Sequence, residues 1–375
     1  MAITSDMSLD AGSKRTIEVA DDAYPAENHL SNPSEVLWSC DIRELPAAEG
    51  AEWSEMLNIL TDAEREKVSR FRFFSDRKRA FLSVQMQRCV IRSFTGLSSD
   101  DLYEIRRTQE NKPYPLCKHK ALGTWNYNVS HHGNYVAIAS HPKKIIGVDV
   151  MTVKPTHRNA ASQDELEFFR TFKAHFTPRE LTVVAAQPSK AARYAMFFLT
   201  WSLKEAFVKA IGKGIAMDLG SAGFDVSITA GALDGDNVAR LCGVADMYLS
   251  GRKRSDWSFH FFALDDDHVM SIGTGPLGEV VKSYSAGAWR AVAKPQLERI
   301  VNAVASDAEA MDDGKDTPVS VFQAAATKAS VLSPCKVLHK RRVLADLLSP
   351  VNKALLRPYC TARAACAAAV GSNSK

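Results

Sequence analysis

The chain passes twice through the same order of sequence patterns: a short capped helix, a long helix and then a series of short strands. The first pass begins at Thr61, which forms a capping-box pattern with Glu64, and helical spacing extends over residues 74–94. The second pass begins at Thr177, which forms the same pattern with Glu180, and predicts a long helix over residues 189–212. This repeat favours a domain built from two similar halves.

The strand patterns are short segments that alternate in polarity or run apolar between turn residues. The first half has such segments at about 37–42, 125–129, 135–140 and 145–151, and the second half has them at 224–228, 245–249, 257–264 and 269–273. The segments from 125 to 151 have the pattern of a strand meander. The sequence therefore predicts an α+β fold of two helix-plus-antiparallel-sheet halves.

Composition divides the chain into four predicted parts. Residues 1–34 lack apolar periodicity and predict a disordered leader. Residues 35–152 and 153–284 are predicted to be the N-terminal and C-terminal halves of one domain. Residues 285–375 are rich in Ala, Lys and Arg, and they predict an appendage that is partly helical or disordered.

The basic charge of the chain is concentrated in this appendage. The formal net charge is +4, but from Thr317 onward nine Lys or Arg residues face a single acid, so the remainder is mildly acidic. The cluster Lys340-Arg341-Arg342 leaves nucleic-acid binding open as an alternative, although a solvated helix face or a disordered tail is favoured.

Several classes of protein are excluded by what the sequence lacks. The seven cysteines are odd in number and contain no CxxC pair, which disfavours a disulfide framework and a zinc site. The chain has no apolar run of about 18 residues and no signal or transit pattern, so we expect a cytoplasmic protein with no membrane partner.

Two acidic positions have the setting of a metal site. Asp149, in the segment Gly147-Val148-Asp149, ends an apolar strand, where a rigid carboxylate binds Mg²⁺ or simply forms a turn. Glu205 and Lys209 lie four residues apart on one predicted helix face, where they could serve a metal and a phosphate or form a surface ion pair. Large apolar residues on the same helix indicate that it is buried.

Two further segments have the setting of a phosphate site. Segment 128–133, Asn-Val-Ser-His-His-Gly, offers hydroxyl, imidazole and backbone donors, although an ordinary turn is equally consistent. Arg106, Arg107 and Lys112 surround a predicted turn. They could neutralise a phosphate-rich ligand or form a solvated basic loop. Ser130 lacks a GxSxG elbow, which disfavours an esterase, and the chain lacks a P-loop motif.

Three of these segments match known motifs in order: N-x-S-H-x-G at 128–133, G-[IV]-D at 147–149 and W-x-x-K-E-[AS]-x-x-K at 201–209. With them the chain resembles the 4′-phosphopantetheinyl transferase superfamily over about residues 36–275. The eukaryotic broad-specificity type, which activates α-aminoadipate reductase in lysine biosynthesis and fatty acid synthase, is the most similar. The resemblance implies two halves related by a pseudo-two-fold axis, with coenzyme A in the cleft between them.

The resemblance also implies roles for individual residues. Asp149 and Glu205 would bind Mg²⁺, and with Lys209, which would contact the pyrophosphate of coenzyme A, they are the expected catalytic residues. The further expected coenzyme A contacts are Lys67, Arg107, Thr108, Lys112, Asn128, Ser130, His131 and Lys204. The chain departs from the family at Met151, where many bacterial relatives have a second acid, and at Asn111, where Gly is common but where Asn tolerates positive φ.

The implied reaction transfers the phosphopantetheine arm of coenzyme A to a serine of an acyl carrier protein or of a carrier domain of a fatty acid synthase-like enzyme. Adenosine 3′,5′-bisphosphate would leave, and Glu205 or a water would accept the serine proton. A monomer is expected, with a basic and apolar docking rim that includes Arg70, Arg72, Phe73 and Arg77. The alternatives are a coenzyme A-binding protein without catalysis and a nucleic-acid binder that uses the basic tail.

Overall fold

The computed structural model describes residues 35–97, 103–117, 122–154, 165–214, 217–230, 241–289 and 340–341. The predicted leader and nearly all of the predicted appendage therefore lie outside the described residues. None of the helices within these ranges is long and apolar enough to cross a membrane.

Within the ranges given above, the first half has three α-helices and six strands. Its elements are β1 (Val36–Asp41), α1 (Ala51–Leu57), α2 (Asp62–Ser69), α3 (Phe74–Thr95), β2 (Tyr103–Arg107), β3 (Pro113–Cys117), β4 (Asn126–His132), β5 (Tyr135–His141) and β6 (Ile145–Thr152). The capping box predicted at the start of α2 is confirmed, since the side chains of Thr61 and Glu64 each accept a hydrogen bond from the other's backbone N–H.

The second half begins with helices, continues with antiparallel strands and is followed by a short helix and a two-residue strand. Its elements are α4 (Glu165–Thr171), α5 (Pro178–Ala185), α6 (Lys190–Ile211), β7 (Ala222–Ala230), β8 (Cys242–Leu249), β9 (Arg252–Lys253), β10 (Ser258–Ala263), β11 (His268–Gly275), α7 (Lys282–Ala288) and β12 (Lys340–Arg341). The second predicted capping box, between Thr177 and Glu180, opens α5 as expected.

The strands form two main sheets, which confirms the α+β class. One sheet has the order β12-β1-β5-β4, and the other has the order β6-β11-β10-β8-β7 with β9 paired to β8; β2 and β3 form a separate hairpin. All described pairs are antiparallel except that of β12 with β1.

Strand β6 lies in the second sheet, which corrects the predicted meander and the predicted boundary after residue 152. Its backbone pairs with β11 over its whole length, from Ile145 opposite Gly275 to Thr152 opposite His268. The division between the two sheets therefore falls in the turn between β5 and β6. Sequence alternation identifies a strand but does not identify its partner. The partner of β6 is β11, which lies more than 100 residues later in the chain.

Strands β4 and β6 are nevertheless joined, by side chains instead of a backbone ladder. Three alternate side chains of β4 accept hydrogen bonds from alternate N–H groups of β6. The pairs are Asn126 Oδ1 with Ile146 N at 3.0 Å, Asn128 Oδ1 with Val148 N at 3.0 Å, and Ser130 Oγ with Val150 N at 3.2 Å. This side-chain seam fixes the first sheet against the second with Ser130 beside Asp149.

The largest core cluster lies between α6 and the second sheet, and it extends beyond the predicted end of the domain. Tyr284 and Trp289, on and just after α7, are 0% and 3% exposed and belong to this cluster. The predicted boundary at residue 284 therefore divides a packed helix. The two aromatic side chains place α7 in the core because burying a large aromatic removes much apolar surface from water.

Candidate active site

Helix α6 lies against β6 because residue 147 is glycine. A Cβ atom at Gly147 would lie 2.0 Å from the carbonyl oxygen of Ala206 and 2.4 Å from the nitrogen of Ala210, so any larger residue would push the helix away. Side chains alternate along a strand, so Asp149 points to the same face as position 147. Asp149 lies in the interior of β6, not at its end as the sequence predicted, because the strand continues to Thr152. Its carboxylate is thereby placed under the helix that carries Glu205 and Lys209.

Asp149 lies at the centre of a cluster of polar side chains that also includes Ser130 and Lys209. Its Oδ1 accepts hydrogen bonds from Lys209 Nζ at 2.5 Å and from Ser130 Oγ at 3.1 Å, and Lys209 Nζ also donates to Ser130 Oγ at 2.9 Å. Asp149 is 3% exposed, and its Oδ2 is buried without a hydrogen-bond partner among the described residues. One carboxylate oxygen is thus engaged, and the other is available to a ligand.

Glu205 lies one turn before Lys209 and is half-buried. Burial raises the pKa of its carboxyl group, and the charge of Asp149 raises it further while that of Lys209 lowers it. The surface ion pair that the sequence left open is not formed: within the described part of the chain, Lys209 pairs with Asp149 and the Glu205 carboxylate makes no hydrogen bond or ion pair. Both acids therefore present oxygen atoms that lack donors.

These oxygen atoms fit a Mg²⁺ ion. Magnesium in proteins is commonly bound by one or two carboxylates, with water and substrate phosphate oxygens completing its shell. No group of three His, Cys, Asp or Glu side chains suited to a metal occurs in the described ranges. Met151, which stands where a second strand acid was considered, packs against the core and supplies no oxygen. The residues present thus suit a site with two carboxylates.

The turn between β4 and β5 is held from both sides. Arg79 of α3 donates to the carbonyl of Gly133 and pairs with Asp76 at 2.5 Å. On the other side, His268 Nε2 accepts a hydrogen bond from Asn134 N at 3.2 Å. Gly133 has a φ of 53°, and a Cβ atom there would lie 2.1 Å from His268 Nε2, so this turn requires glycine.

This anchored turn follows directly after His131. The ring of His131 has an exposed surface, yet the protein atoms around it partly desolvate the imidazole and lower its pKa, and the positive charges of Arg79 and Lys209 lower it further. A neutral imidazole beside a guanidinium is the result. The sequence prediction did not include Arg79, for which the only signal is the basic run 77–79 at the start of α3.

Lys204 occupies a different place from the one predicted. Its ammonium is fully buried and bonds to Glu180 Oε2 at 2.9 Å, to the carbonyl of Leu219 at 3.0 Å and to the carbonyl of Ala222. An ammonium has three donors, and these partners use all of them. The expectation that Lys204 contacts coenzyme A is therefore wrong, because the neighbouring residue Glu205 faces the site and Lys204 faces the core.

Lys112 is also directed inward. Its Nζ donates to the carbonyl of Lys209 at 2.8 Å and to the carbonyl of Ile146 at 3.2 Å, and it lies 5.3 Å from the centre of the Tyr284 ring. Burial lowers the pKa of Lys112 to about 7. Carbonyls in the last turn of a helix lack helical partners, so Lys112 caps α6 beside the site. Two of the three ammonium donors are engaged in this way, and the direct coenzyme A contact of Lys112 stays a prediction.

The remaining predicted contacts lie at the edge of the site or support it. Arg107 is exposed and donates to the carbonyl of Asn111 at 2.9 Å, and Asn111 has the expected positive φ, 71°. Thr108 Oγ1 accepts from the backbone N–H of Lys112 at 3.2 Å, which closes the same turn. Lys67 is exposed on α2 and makes no hydrogen bond or ion pair to the described residues. Asn128 and Ser130 belong to the side-chain seam.

Comparison with known proteins agrees with this arrangement. A family model described as "4'-phosphopantetheinyl transferase, N-terminal" matches residues 47–143, and one described as "4'-phosphopantetheinyl transferase superfamily" matches residues 145–272. The two matches meet at the turn that separates β5 from β6, where the structure divides the two sheets.

Relatives from several organisms match more than half of the chain. The phosphopantetheinyl transferase of Thraustochytrium sp. is 32% identical over 217 residues, which cover 57% of this chain and 69% of that protein. The L-aminoadipate-semialdehyde dehydrogenase-phosphopantetheinyl transferase of Xenopus laevis is 30% identical over 227 residues, covering 60% of this chain and 71% of the relative. The mouse protein of the same name is 28% identical over 224 residues, 59% of this chain and 69% of the relative.

The chain therefore belongs to the 4′-phosphopantetheinyl transferase superfamily. It is a transferase that uses coenzyme A as substrate and moves the 4′-phosphopantetheine group to carrier proteins.

Proposed function

We propose that Asp149, Glu205 and Lys209 are the catalytic residues of this transferase and that the two acids hold Mg²⁺. The observation that carries the proposal is the buried Asp149 carboxylate, with Oδ1 bonded to Lys209 and Oδ2 without a hydrogen-bond partner among the described residues. Bound there, Mg²⁺ would neutralise negative charge that develops on the pyrophosphate of coenzyme A.

The reaction is the attack of a serine hydroxyl of the carrier protein on the β-phosphorus of coenzyme A. A serine–phosphorus bond forms, the bond from this phosphorus to the bridging oxygen breaks, and adenosine 3′,5′-bisphosphate leaves with that oxygen. Glu205 is suited to accept the serine proton because burial raises the pKa of its carboxyl group. Lys209, with 29% of its side chain exposed, supplies positive charge to the leaving phosphate.

The phosphate groups at the nucleotide end of coenzyme A are assigned to the β4–β5 turn. His131, held neutral beside Arg79, offers a ring N–H, and Arg79 adds a permanent positive charge. The exposed side chains of Arg107 and Lys67, with Thr108 in the adjoining turn, are further proposed contacts at the outer end of the nucleotide. Ser130 acts on the site through its bonds to Asp149 and Lys209.

The carrier protein is proposed to dock on the surface at the junction of α2 and α3. Phe71 and Phe73 are 44% and 61% exposed, and the guanidinium of Arg72 lies 5.6 Å from the centre of the Phe73 ring. Within the described part of the chain, Arg70 and Arg77 have acidic partners, Glu66 and Glu49, each at 2.5 Å. This surface therefore offers apolar area together with Arg72, which has no acidic partner among the described residues, and this suits an acidic carrier protein.

Finer features of the function are proposed from the relatives. The names of the vertebrate relatives refer to L-aminoadipate-semialdehyde dehydrogenase, so carrier domains of that kind, together with those of fatty acid synthase-like enzymes, are proposed substrates. We further infer that the enzyme acts in the cytoplasm as a monomer, and that residues 35–289 form the catalytic unit.

The direct test is incubation of the full chain with coenzyme A, Mg²⁺ and a panel of apo carrier proteins, followed by mass spectrometry of the carriers. The proposal predicts the phosphopantetheine mass increment on one serine of at least one carrier and its loss when Mg²⁺ is removed by chelation. Binding of coenzyme A without an increment on any carrier would favour a non-catalytic coenzyme A-binding protein. Salt-sensitive nucleic-acid binding that disappears on removal of residues after Thr317 would assign a second role to the tail.

A further inference from the structure

Ser271 lies directly across from Asp149 in the second sheet. The register of β6 with β11 pairs these two residues, so their side chains point to the same face, towards α6. Asp149 is thereby flanked by two serines, Ser130 on β4 and Ser271 on β11. Ser130 already bonds to Oδ1 of the carboxylate at 3.1 Å.

The hydroxyl group of Ser271 is buried but is not hydrogen-bonded within the described residues. Ser271 is 0% exposed, and its Oγ has no hydrogen-bond partner among the described residues. A buried polar atom without a partner costs about 1–3 kcal/mol, so such groups in folded proteins generally have a reason. Asp149 Oδ2, the acceptor on the residue opposite, is unpartnered in the same way.

A serine hydroxyl and a carboxylate on directly opposed residues are within reach of each other. Opposed residues in an antiparallel pair have Cβ atoms about 4.5–5.5 Å apart, and a serine side chain turns between three staggered rotamers. In the structure the position of the Asp149 carboxylate is set by Lys209 and Ser130, which both bond to Oδ1. If Lys209 moves towards a phosphate group, the carboxylate loses its strongest partner.

We propose that Ser271 is a positioning residue that donates a hydrogen bond to Asp149 Oδ2 when Lys209 engages the phosphates of coenzyme A, and so holds this carboxylate in place for the divalent metal. The inference rests on the proposed roles of Asp149 and Lys209. Residues that bond to metal-binding carboxylates typically change metal affinity by about 10–100-fold when they are removed.

The experiment measures Mn²⁺ binding to the full chain in the presence of coenzyme A, by electron paramagnetic resonance, for the parent and for Ser271→Ala. We expect at least about tenfold weaker Mn²⁺ binding in Ser271→Ala. Ser202→Ala is the matched control, because Ser202 is also a fully buried serine whose hydroxyl lacks a partner among the described residues, on α6. Mn²⁺ affinities in Ser271→Ala and the parent that agree within about twofold would overturn the proposal.

A second readout separates positioning from packing. Ser271→Ala should raise the Mg²⁺ concentration needed for half-maximal transfer without changing KM for the carrier protein, whereas equal losses in Ser271→Ala and Ser202→Ala would assign the effect to packing and contradict the proposal. If Ser271→Ala does not fold, Ser271→Cys keeps the side-chain size but is a weaker donor and should show the same direction. The parent's own transfer is measured first, so failure of the proposed function is distinguished from failure of the Ser271 role.

Discussion

Asp149 Oδ1 and Lys209 Nζ lie 2.5 Å apart across the contact between β6 and α6. The carboxylate is buried on a short side chain within a paired strand, whereas the ammonium lies at the end of a long side chain on the last turn of a helix. This asymmetry suits a site in which the acid stays with the metal while the lysine moves to the phosphate.

Replacement of the buried acid should abolish transfer. Asp149→Asn keeps the size of the side chain but removes its charge, and we expect kcat to fall by more than about a hundredfold, because a metal contributes several kcal/mol to such a reaction. The measurement is carrier-protein modification followed by mass spectrometry. Asp246→Asn, at an exposed aspartate paired with Lys253, is the control and should retain full transfer. Full activity of Asp149→Asn would refute the metal role.

Substitutions of Lys204 and Lys209, both on α6, should have different effects. Lys209→Met should lower kcat with a smaller loss of stability than Lys204→Met, since Lys209 is partly exposed and Asp149 keeps its hydrogen bond from Ser130. Lys204→Met leaves the buried carboxylate of Glu180 without its cation, which should reduce the free energy of unfolding by about 3–5 kcal/mol. Activity assays and urea denaturation on both variants test this contrast. Equal losses of kcat with equal stability in the two variants would contradict it.

Adding a methyl group at Gly147, where β6 contacts α6, should lower activity without replacing a catalytic residue. Gly147→Ala would bring a Cβ atom to 2.0 Å from the carbonyl of Ala206, so α6 must shift. We expect a loss of about 1–3 kcal/mol in stability and a larger relative loss in kcat, measured by denaturation and by transfer assays. Gly50→Ala, where no atom lies within 4 Å of the added Cβ, is the control and should leave kcat unchanged. An unaffected kcat in Gly147→Ala would show that close helix contact is dispensable.

The stability of the fold should rise with pH above neutrality because of Lys112. Burial lowers its pKa to about 7, against 10.5 for an ordinary lysine. Between these two pH values the unfolded chain holds a proton that the folded chain has lost, so the free energy of unfolding increases with pH by at most about 1.4 kcal/mol per unit. This gain is lost progressively as the pH falls from 10.5 to 7, and below 7 Lys112 is protonated in both states and adds no pH dependence.

Urea denaturation at pH values from 7 to 10 measures this effect. In Lys112→Met the titrating group is removed, so the slope of stability against pH should be smaller than in the parent, even though the variant is less stable overall. The same slope in both proteins would mean that Lys112 is protonated throughout. Lys67→Met is the control, since Lys67 is exposed and its removal should leave the slope unchanged.

The exposed aromatic surface should affect the carrier protein and not coenzyme A. Phe73→Ser should raise KM for the carrier about tenfold, because about 1–3 kcal/mol of apolar contact would be lost, while KM for coenzyme A stays constant. Val183→Ser is the control, since Val183 is a comparably exposed apolar side chain on α5. An unchanged KM for the carrier would place the docking surface elsewhere.

Local chemistry explains which features could be predicted from the sequence. Thr61 and Thr177 start helices because their caps involve residues three positions away, and both were predicted. The positions of Asp149, Glu205 and Lys209 followed from strand and helix periodicity together with the family resemblance. Their joint placement depends on Gly147, whose close contact with α6 is not visible as a sequence pattern.

The sequence was less informative about where long side chains point and which distant residues they contact. Lys204 and Glu205 are adjacent in sequence, but a helix turns about 100° per residue, so one faces Glu180 in the core and the other faces the site. Lys112 could not be distinguished from a phosphate ligand because its partners are backbone carbonyls from elements formed much later in the chain. Ser271 carries no signal in sequence, since its importance arises only from its register with Asp149.

The side-chain seam between β4 and β6 makes this enzyme unusually sensitive to point mutation at one place. A backbone ladder survives almost any substitution, because every residue except proline keeps its N–H and C=O groups. The seam has no such protection: replacing Asn126, Asn128 or Ser130 by alanine removes an acceptor and leaves a buried N–H of β6 unpaired. The alignment of the two sheets therefore depends in part on three side chains, and each can be lost by a change in one codon.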